Sequence, residues 1–217
     1  YSCNDTAQNW GTNNVSFFID STYPVWSNNK TAPETLVVYN PNANYRFNIT
    51  YTDNLGLDYV NFTFNSVVYQ TIMGGLIINT TNNVTDLSAG DYTYNWIGCD
   101  DLVNCNTTND MTYTVQKANT TSWLFINNNR ANLNITYGNI ISLYSNTTNL
   151  TVTIYVNGVN YTNNFSGLIG VGYYNVTTIN AGNVNYTSSS ETYWLNVTQK
   201  GTQIVMTAKG TRGNVVA

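Results

Sequence analysis

Gly90-Asp91-Tyr92-Thr93-Tyr94 and Gly172-Tyr173-Tyr174-Asn175-Val176 stand 82 residues apart, and a slide by that interval also lays Val115 on Val197 without a gap. A second slide, of 96, lays Cys3 on Cys99, Asp5 on Asp101, and Val15-Ser16-Phe17-Phe18-Ile19 on Met111-Thr112-Tyr113-Thr114-Val115. The same two-strand ending thus occurs three times, closing at Asp20, Gln116 and Thr198. Unit beginnings recur as well: Lys117 to Ile126 (KANTTSWLFI) and Lys200 to Lys209 (KGTQIVMTAK) each follow a strand ending in Val. A period of this size matches a β-sandwich module of roughly 100 residues and is far too long for a solenoid repeat. The 217 residues therefore divide into four pieces. Residues 1–20 read as the last strands of a preceding module or a donor segment, and 21–116 and 117–199 as two whole modules. Residues 200–217 read as the first strand of a following module or a donor segment.

The stretches between these landmarks have the two-residue period of strands whose successive side chains face opposite ways. Tyr45-Arg46-Phe47-Asn48-Ile49-Thr50-Tyr51 alternates large apolar with polar, and so does Asp58 to Phe64, which ends at an Asn65-Ser66 turn. Leu150 to Val156 leads into Asn157-Gly158, a pair that tolerates the positive φ of a type I′ hairpin turn. Helical periodicity is absent. The fold expected is all-β, tandem immunoglobulin-like β-sandwich modules. Tyr92 and Tyr174, just after a glycine at the start of a penultimate strand, suit a tyrosine corner, in which the hydroxyl bonds back to loop backbone.

Only 8% of the residues are charged, with seven Lys and Arg against eleven Asp and Glu. No basic run exists to neutralise phosphates, so nucleic acid is excluded as a partner. No apolar stretch is long enough for a membrane-spanning helix. Solubility must come largely from Asn and Thr, or from what they carry. The acceptor pattern N-x-S/T occurs at Asn4, Asn14, Asn29, Asn48, Asn61, Asn79, Asn83, Asn106, Asn119, Asn134, Asn146, Asn149, Asn160, Asn164, Asn175, Asn185 and Asn196. A chain this rich in Asn, Ser and Thr would give roughly eight by chance. The twofold excess points to N-glycosylation, and the plainer account is an Asn/Thr surface that merely solvates strands. Cys99 and Cys105, six apart, suit a disulfide around a short loop in an oxidising compartment, leaving Cys3 free or paired outside this segment.

Catalytic chemistry is hard to assemble. With no histidine and no G-x-S-x-G elbow, neither a nucleophilic triad nor a His/Cys metal site can form, and no metal site is expected. Most acids sit at predicted turns, where Asp caps backbone. A structural Ca²⁺ near Asp53, Asp100 and Asp101 is the one cofactor they suggest, and no repeat-type calcium spacing accompanies it. Trp10, Trp26, Trp96, Trp123 and Trp194 could line a sugar platform, but core or intermodule packing is the more frequent role of such residues on strands.

Tyr174 to Val197 (YNVTTINAGNVNYTSSSETYWLNV) resembles the closing strands of prokaryotic Ig-like repeat domains in large surface proteins, and Tyr137-Gly138 and Val156-Asn157-Gly158-Val159 suit the same family. Tyr92-Thr93-Tyr94-Asn95-Trp96 with Cys99-Asp100-Asp101 and Asn104-Cys105 resembles a related surface repeat, and Ser21-Thr22-Tyr23-Pro24-Val25 resembles its usual junction. With dense acceptors and few charges, the resemblance implies an extracellular setting, an archaeal cell surface or filament. The expected role is that of a non-enzymatic structural subunit or segment of a filament, sheath or surface layer, self-associating into a homopolymer. The rival is the stalk of an adhesin that presents a binding domain elsewhere.

Overall fold

The computed structural model describes residues 2–4, 6–8, 10–12, 19–208 and 211–216, with side chains described in all of these but 2–4, 12, 71–73 and 204–216. It is all-β, and the chain divides into two compact units, Tyr1–Val37 with Pro41–Val115, and Val38–Asn40 with Gln116–Ala217.

In the first unit, β1 (Ser2–Asn4) and β2 (Trp10–Thr12) make a two-stranded hairpin. The remaining strands are β3 (Val25–Ala32), β4 (Val37–Val38), β5 (Asn44–Phe64), β6 (Val67–Thr85), β7 (Gly90–Asp100), β8 (Cys105–Thr107) and β9 (Met111–Gln116). They form one continuous path, β3-β5-β7-β9-β4, with β6 on β5 and β8 on β7. At 21 and 19 residues, β5 and β6 are far longer than the usual five or six. Each is two strands joined through a corner. The β5–β6 register breaks between Thr52 and Leu57, where Asp53 Oδ1 accepts the N–H groups of Leu55 (2.9 Å) and Gly56 (3.1 Å). Gly56, at φ 141°, has a backbone conformation that L side chains rarely adopt. Residues 44–52 of β5 then lie between β3 and residues 77–85 of β6 in one layer. Residues 57–64 lie between residues 67–75 of β6 and β7, continuing to β9 and β4, in the other.

The two-residue period seen in the sequence is what fills the space between the layers. Tyr45, Phe47, Ile49 and Tyr51 point inward from one layer, and Val60, Phe62, Phe64, Tyr94, Trp96 and Tyr113 from the other, all buried. The Phe47 ring sits 4.9–5.3 Å from those of Phe62, Phe64, Tyr94 and Tyr113. One side chain thereby ties three strands of the opposite layer to its own.

The second unit repeats this wiring with separate strands: β10 (Ser122–Ile126), β11 (Leu133–Thr136), β12 (Ile141–Thr147), β13 (Thr153–Val156), β14 (Val159–Tyr161), β15 (Phe165–Gly167), β16 (Gly172–Asn180) and β17 (Ser189–Thr198). Sheet β10-β12-β15 corresponds to β3 with the first half of β5 and the second half of β6. Sheet β11-β17-β16-β13-β14 corresponds to β4-β9-β7 with the other two halves. Its core is aliphatic, built from Leu124, Ile126, Ile141, Leu143, Ile154, Val156, Ile169, Val176, Leu195 and Val197.

The repeat found in the sequence is a repeat of register. Gly90 pairs with Val115 and Tyr92 with Tyr113, while Gly172 pairs with Val197 and Tyr174 with Leu195. Tyr92 Oη donates to Ser88 O at 2.9 Å and Tyr174 Oη to Gly170 O at 3.0 Å, the same reach of four residues in both units. Asn157 and Gly158 turn with φ of 47° and 79°, and Asn65 and Ser66 manage the same two positive angles without a glycine.

At the end of the chain, within residues 200–217 read as the first strand of a following module or a donor segment, β18 (Gln203–Ala208) pairs antiparallel with β19 (Thr211–Val216). Of the N-terminal strand expected at Val15–Ile19, residues 15–18 lie outside the described residues, and Ile19 is exposed and outside any strand.

Each corner hydroxyl contributes about 1 kcal/mol, as a net hydrogen bond does. Tyr92→Phe and Tyr174→Phe should each lower the melting temperature of their own unit by roughly 4–8 °C, read by calorimetry. An unchanged melting profile in both would show that the corners do not hold the loops.

Candidate functional site

Strand β8 returns beside the end of β7, and Cys99 and Cys105 face each other in that ladder and are joined by a disulfide, with Cα atoms 4.1 Å apart. Asp100 is buried inside the enclosed loop, and its carboxylate accepts from Leu102 N (2.9 Å), Asn104 N (2.7 Å) and Asn104 Nδ2 (2.7 Å). Asn104 Nδ2 also reaches Asp20 O at 3.0 Å. Tyr51 lies flat under this turn: its hydroxyl donates to Asn106 O at 3.0 Å, and its ring would stand 2.5 Å from a Cβ at position 98. Only glycine fits there. The hairpin β1–β2 has the same form, but Cys3 stands opposite Gly11 rather than a second cysteine. The Cys3 side chain lies outside those described.

The acids gathered at this end of the unit are Asp20, Asp53 and Asp100, each offering an oxygen within 4.8 Å of the others. The sequence named Asp53 and Asp100 with Asp101, but Asp101 is exposed and Asp20, distant in sequence, takes the third place. A hard cation such as Ca²⁺ wants six to eight oxygens, and these carboxylates could supply part of that set. One oxygen of each is used by its own loop, Asp20 Oδ1 by Thr22 N, Asp53 Oδ1 by Leu55 and Gly56, and Asp100 Oδ1 by Leu102 and Asn104, whereas Asp20 Oδ2 and Asp53 Oδ2 are buried without a hydrogen-bond partner. The hydrogen bond from Thr22 N–H holds the Asp20 carboxyl below its ordinary value. The cluster is thus three neighbouring carboxyl groups, each held on one oxygen by backbone donors.

The second unit has an ion pair of a different kind. Burial would push the Glu191 carboxyl up, but donors from Arg130, Leu124 N–H and Tyr193 Oη outweigh it and hold it below the ordinary glutamate value. This is the only salt bridge among the described residues.

The seventeen acceptor asparagines are spread over both units. Among those with described side chains, none is buried: Asn79, Asn83, Asn119, Asn134, Asn146, Asn149, Asn160 and Asn164 are exposed, and Asn29, Asn48, Asn61, Asn106, Asn175, Asn185 and Asn196 are half-buried. Asn4 lies in β1 with its side chain outside those described, and Asn14 lies outside the described residues. Two spend the very nitrogen a sugar would use. Asn106 Nδ2 donates to Pro24 O at 2.7 Å, and Asn29 Nδ2 contacts Met111 Sδ at 3.1 Å. Sequence could not reveal this, because it depends on how β3 and β8 fold back on their neighbours.

The tryptophans divide between core and surface. Trp96 alone is in a core, while Trp10, Trp26 and Trp194 are among the exposed apolar side chains and Trp123 is half-buried. A surface depression of about 140 Å³ is lined by Thr63, Ser66, Thr93, Tyr94, Asn95 and Asp110, with Asp110 its one acid. No helix among the described residues is long and apolar enough to cross a membrane.

No protein-family model and no curated protein sequence matches the chain. Among solved structures, the chain is similar to the fibronectin(III)-like modules of Clostridium thermocellum CbhA, at 12% identity and a TM-score of 0.34 over 81% of this chain and 94% of that one. It is similar to latent PorU from Porphyromonas gingivalis at 13% and 0.36, over 83% and 21%. It is also similar to a 1.5-MDa bacterial ice-binding adhesin at 14% and 0.28, over 72% and 59%. No function follows from likenesses at that level.

Two outcomes are expected from the charged groups. Asp53→Asn keeps an oxygen for Leu55 and Gly56 but removes one of three close charges. It should raise the melting temperature of the first unit in chelator, and a fall would show that the carboxylates do not repel. Because the folded-state pKa of Glu191 is depressed, its contribution is present above the unfolded glutamate value and lost as pH falls through the folded one. Acid melts should therefore show the second unit of Glu191→Gln less sensitive to pH below the ordinary glutamate range than the wild-type unit.

Proposed function

We propose that the chain is a structural subunit or segment of an N-glycosylated extracellular assembly (a filament, sheath or surface layer) in which Ig-like modules join end to end, with no catalytic role. The observation that carries this reading is the pair of hairpins β1–β2 and β18–β19, each a two-stranded sheet by itself among the described residues. An isolated two-stranded hairpin is marginal in water. Each therefore calls for a further sheet to complete it, whether from a neighbouring copy or from more of the same polypeptide. Backbone pairing along an open strand edge joins modules without needing charge, which this chain scarcely has.

Glycans belong to the same reading. With 8% charged residues, the outward faces need another source of hydration, and acceptor asparagines that stay out of the cores supply attachment points for it. A disulfide inside the first unit is in keeping with an oxidising compartment.

The test is negative-stain electron microscopy of the secreted chain beside a variant lacking residues 1–20. Fibres or sheets from the intact chain and separate particles from the truncated one are expected. Assembly that survives the deletion removes strand addition through β1–β2. Separate rods ending in a distinct tip in both cases would replace the reading with the adhesin stalk.

A further inference from the structure

On the outer faces of the second unit, acceptor asparagines stand opposite aromatic rings. Asn146 of β12 is the ladder partner of Trp123 in β10, and Asn160 of β14 of Tyr155 in β13. Asn175 of β16 is the partner of Trp194 in β17, and Asn196 of β17 of Tyr173 in β16. The remaining acceptor on a strand of this unit, Asn134 of β11, pairs with Asn196 and so shares its row with Tyr173. Residues paired in register share a sheet face, with Cβ atoms about 4.5–5.5 Å apart.

The coincidence is not one of composition. Aromatics make up 14% of the chain, yet four of these five strand acceptors face one directly. The first unit shows what alternation alone gives: Asn4 faces Trp10, Asn48 faces Lys30 and Thr81, Asn61 faces Gln70 and Ile97, Asn79 faces Thr50, Asn83 faces Arg46, and Asn106 faces Gly98. One of those six acceptors faces a ring, against four of five in the second unit. The first unit packs rings into its core while also leaving Trp10, Tyr23, Trp26 and Tyr69 exposed, whereas the second unit has an aliphatic core and carries rings outside it.

Rings left in water on an outer face are a cost unless something covers them. Tyr173 and Trp194 are 61% and 41% exposed and stack on each other at 4.9 Å and 13°, a broad flat surface with Asn175 and Asn196 at its two other corners. A pyranose has one face of C–H groups that suits such a surface, and a sugar joined to the facing Asn starts within reach of it. The acceptor geometry is open: Asn175 Oδ1 takes the hydroxyl of its own sequon Thr177 at 2.6 Å, and Asn146 Oδ1 takes Thr147 N at 2.8 Å, so the amide oxygen is engaged locally in both.

We propose that Asn146, Asn160, Asn175 and Asn196 carry N-linked sugars whose first pyranose lies on the facing Trp123, Tyr155, Trp194 and Tyr173 rings, so that each pair is a seat for a glycan. This rests on the reading of the chain as N-glycosylated. In the attachment, Nδ2 forms a bond to the anomeric carbon of a phosphate-activated sugar donor. The carbon–oxygen bond to phosphate breaks, the phosphate leaves with the electron pair, and the amide proton passes to a base of the transferase.

The experiment uses the full chain secreted from an N-glycosylating host, with occupancy of every acceptor read by peptide mass spectrometry. Melting temperatures are compared for wild type, Asn175→Gln, Trp194→Ala and the double variant, and NMR of the intact glycoprotein looks for ring-current-shifted sugar protons. The four sites should be occupied, and the two substitutions non-additive by roughly 3–8 °C, the size expected for a ring-stacking contact. Shifted sugar signals should disappear in Asn175→Gln. Occupied sites with additive melting effects and no shifted signals overturn the seating while leaving glycosylation in place. Bare asparagine at these four in a chain modified elsewhere also overturns it, and bare asparagine at all seventeen overturns both readings. The wild-type NMR arm decides the matter even if Trp194→Ala fails to fold.

Discussion

Two layers of sheet can dry only the faces they turn toward each other, and every second residue of every strand is left facing out. That constraint governs this chain more severely than most, because so few of its residues are charged. Inside, alternation works by ordinary means. Phe47 reaches across to four rings in the first unit, and an aliphatic set takes their place in the second. Outside, the same alternation presents Thr, Asn and exposed rings where other sandwiches present Lys and Glu. Both inner cores and outer chemistry follow from one period of two.

The wiring is more conserved between the units than the strand count suggests. In the first, β5 and β6 each run through a corner and serve both layers, which makes a seven-stranded path out of what the second unit builds as two sheets. The difference is local. Asp53 gathers two backbone N–H groups and Gly56 supplies a conformation other residues avoid, so the strand bends without ending. In the second unit residues 148–152 interrupt the corresponding run between β12 and β13. A fused strand and a broken one thus reach the same architecture.

Much of this was legible from residue order. The Gly-x-Tyr step at 90–92 and 172–174 located the same hydrogen bond twice, because a hydroxyl four residues from a carbonyl across a tight loop needs only local geometry. Cys99 with Cys105 and Asn157 with Gly158 were legible for the same reason. What was hidden depends on which distant strands become neighbours. Nothing near Asp53 or Asp100 in the sequence announces Asp20. Nor does Asn106 reveal that its amide nitrogen turns to Pro24 O. The pairing of β18 with β19 is not written in the sequence, because the run after Ala208 carries Gly and charge and lacks a clear alternating signal.

The placement of the tryptophans shows why the register matters more than the count. Five such residues in a sandwich suggest core or intermodule packing, since each buries a large apolar area. Only Trp96 does so, against Phe62 at 4.5 Å. Trp194 lies between Leu195 and Tyr193 on a strand whose buried positions are Leu195 and Val197, so its own position can only face out. A shift of one residue in β17 would bury it and expose both aliphatics, at a cost in the core no surface contact could offset. The core therefore fixes the outward ring, and whatever covers that ring must come from the outer face itself. Asn175, fixed opposite by the same register, is the residue on that face best placed to carry it.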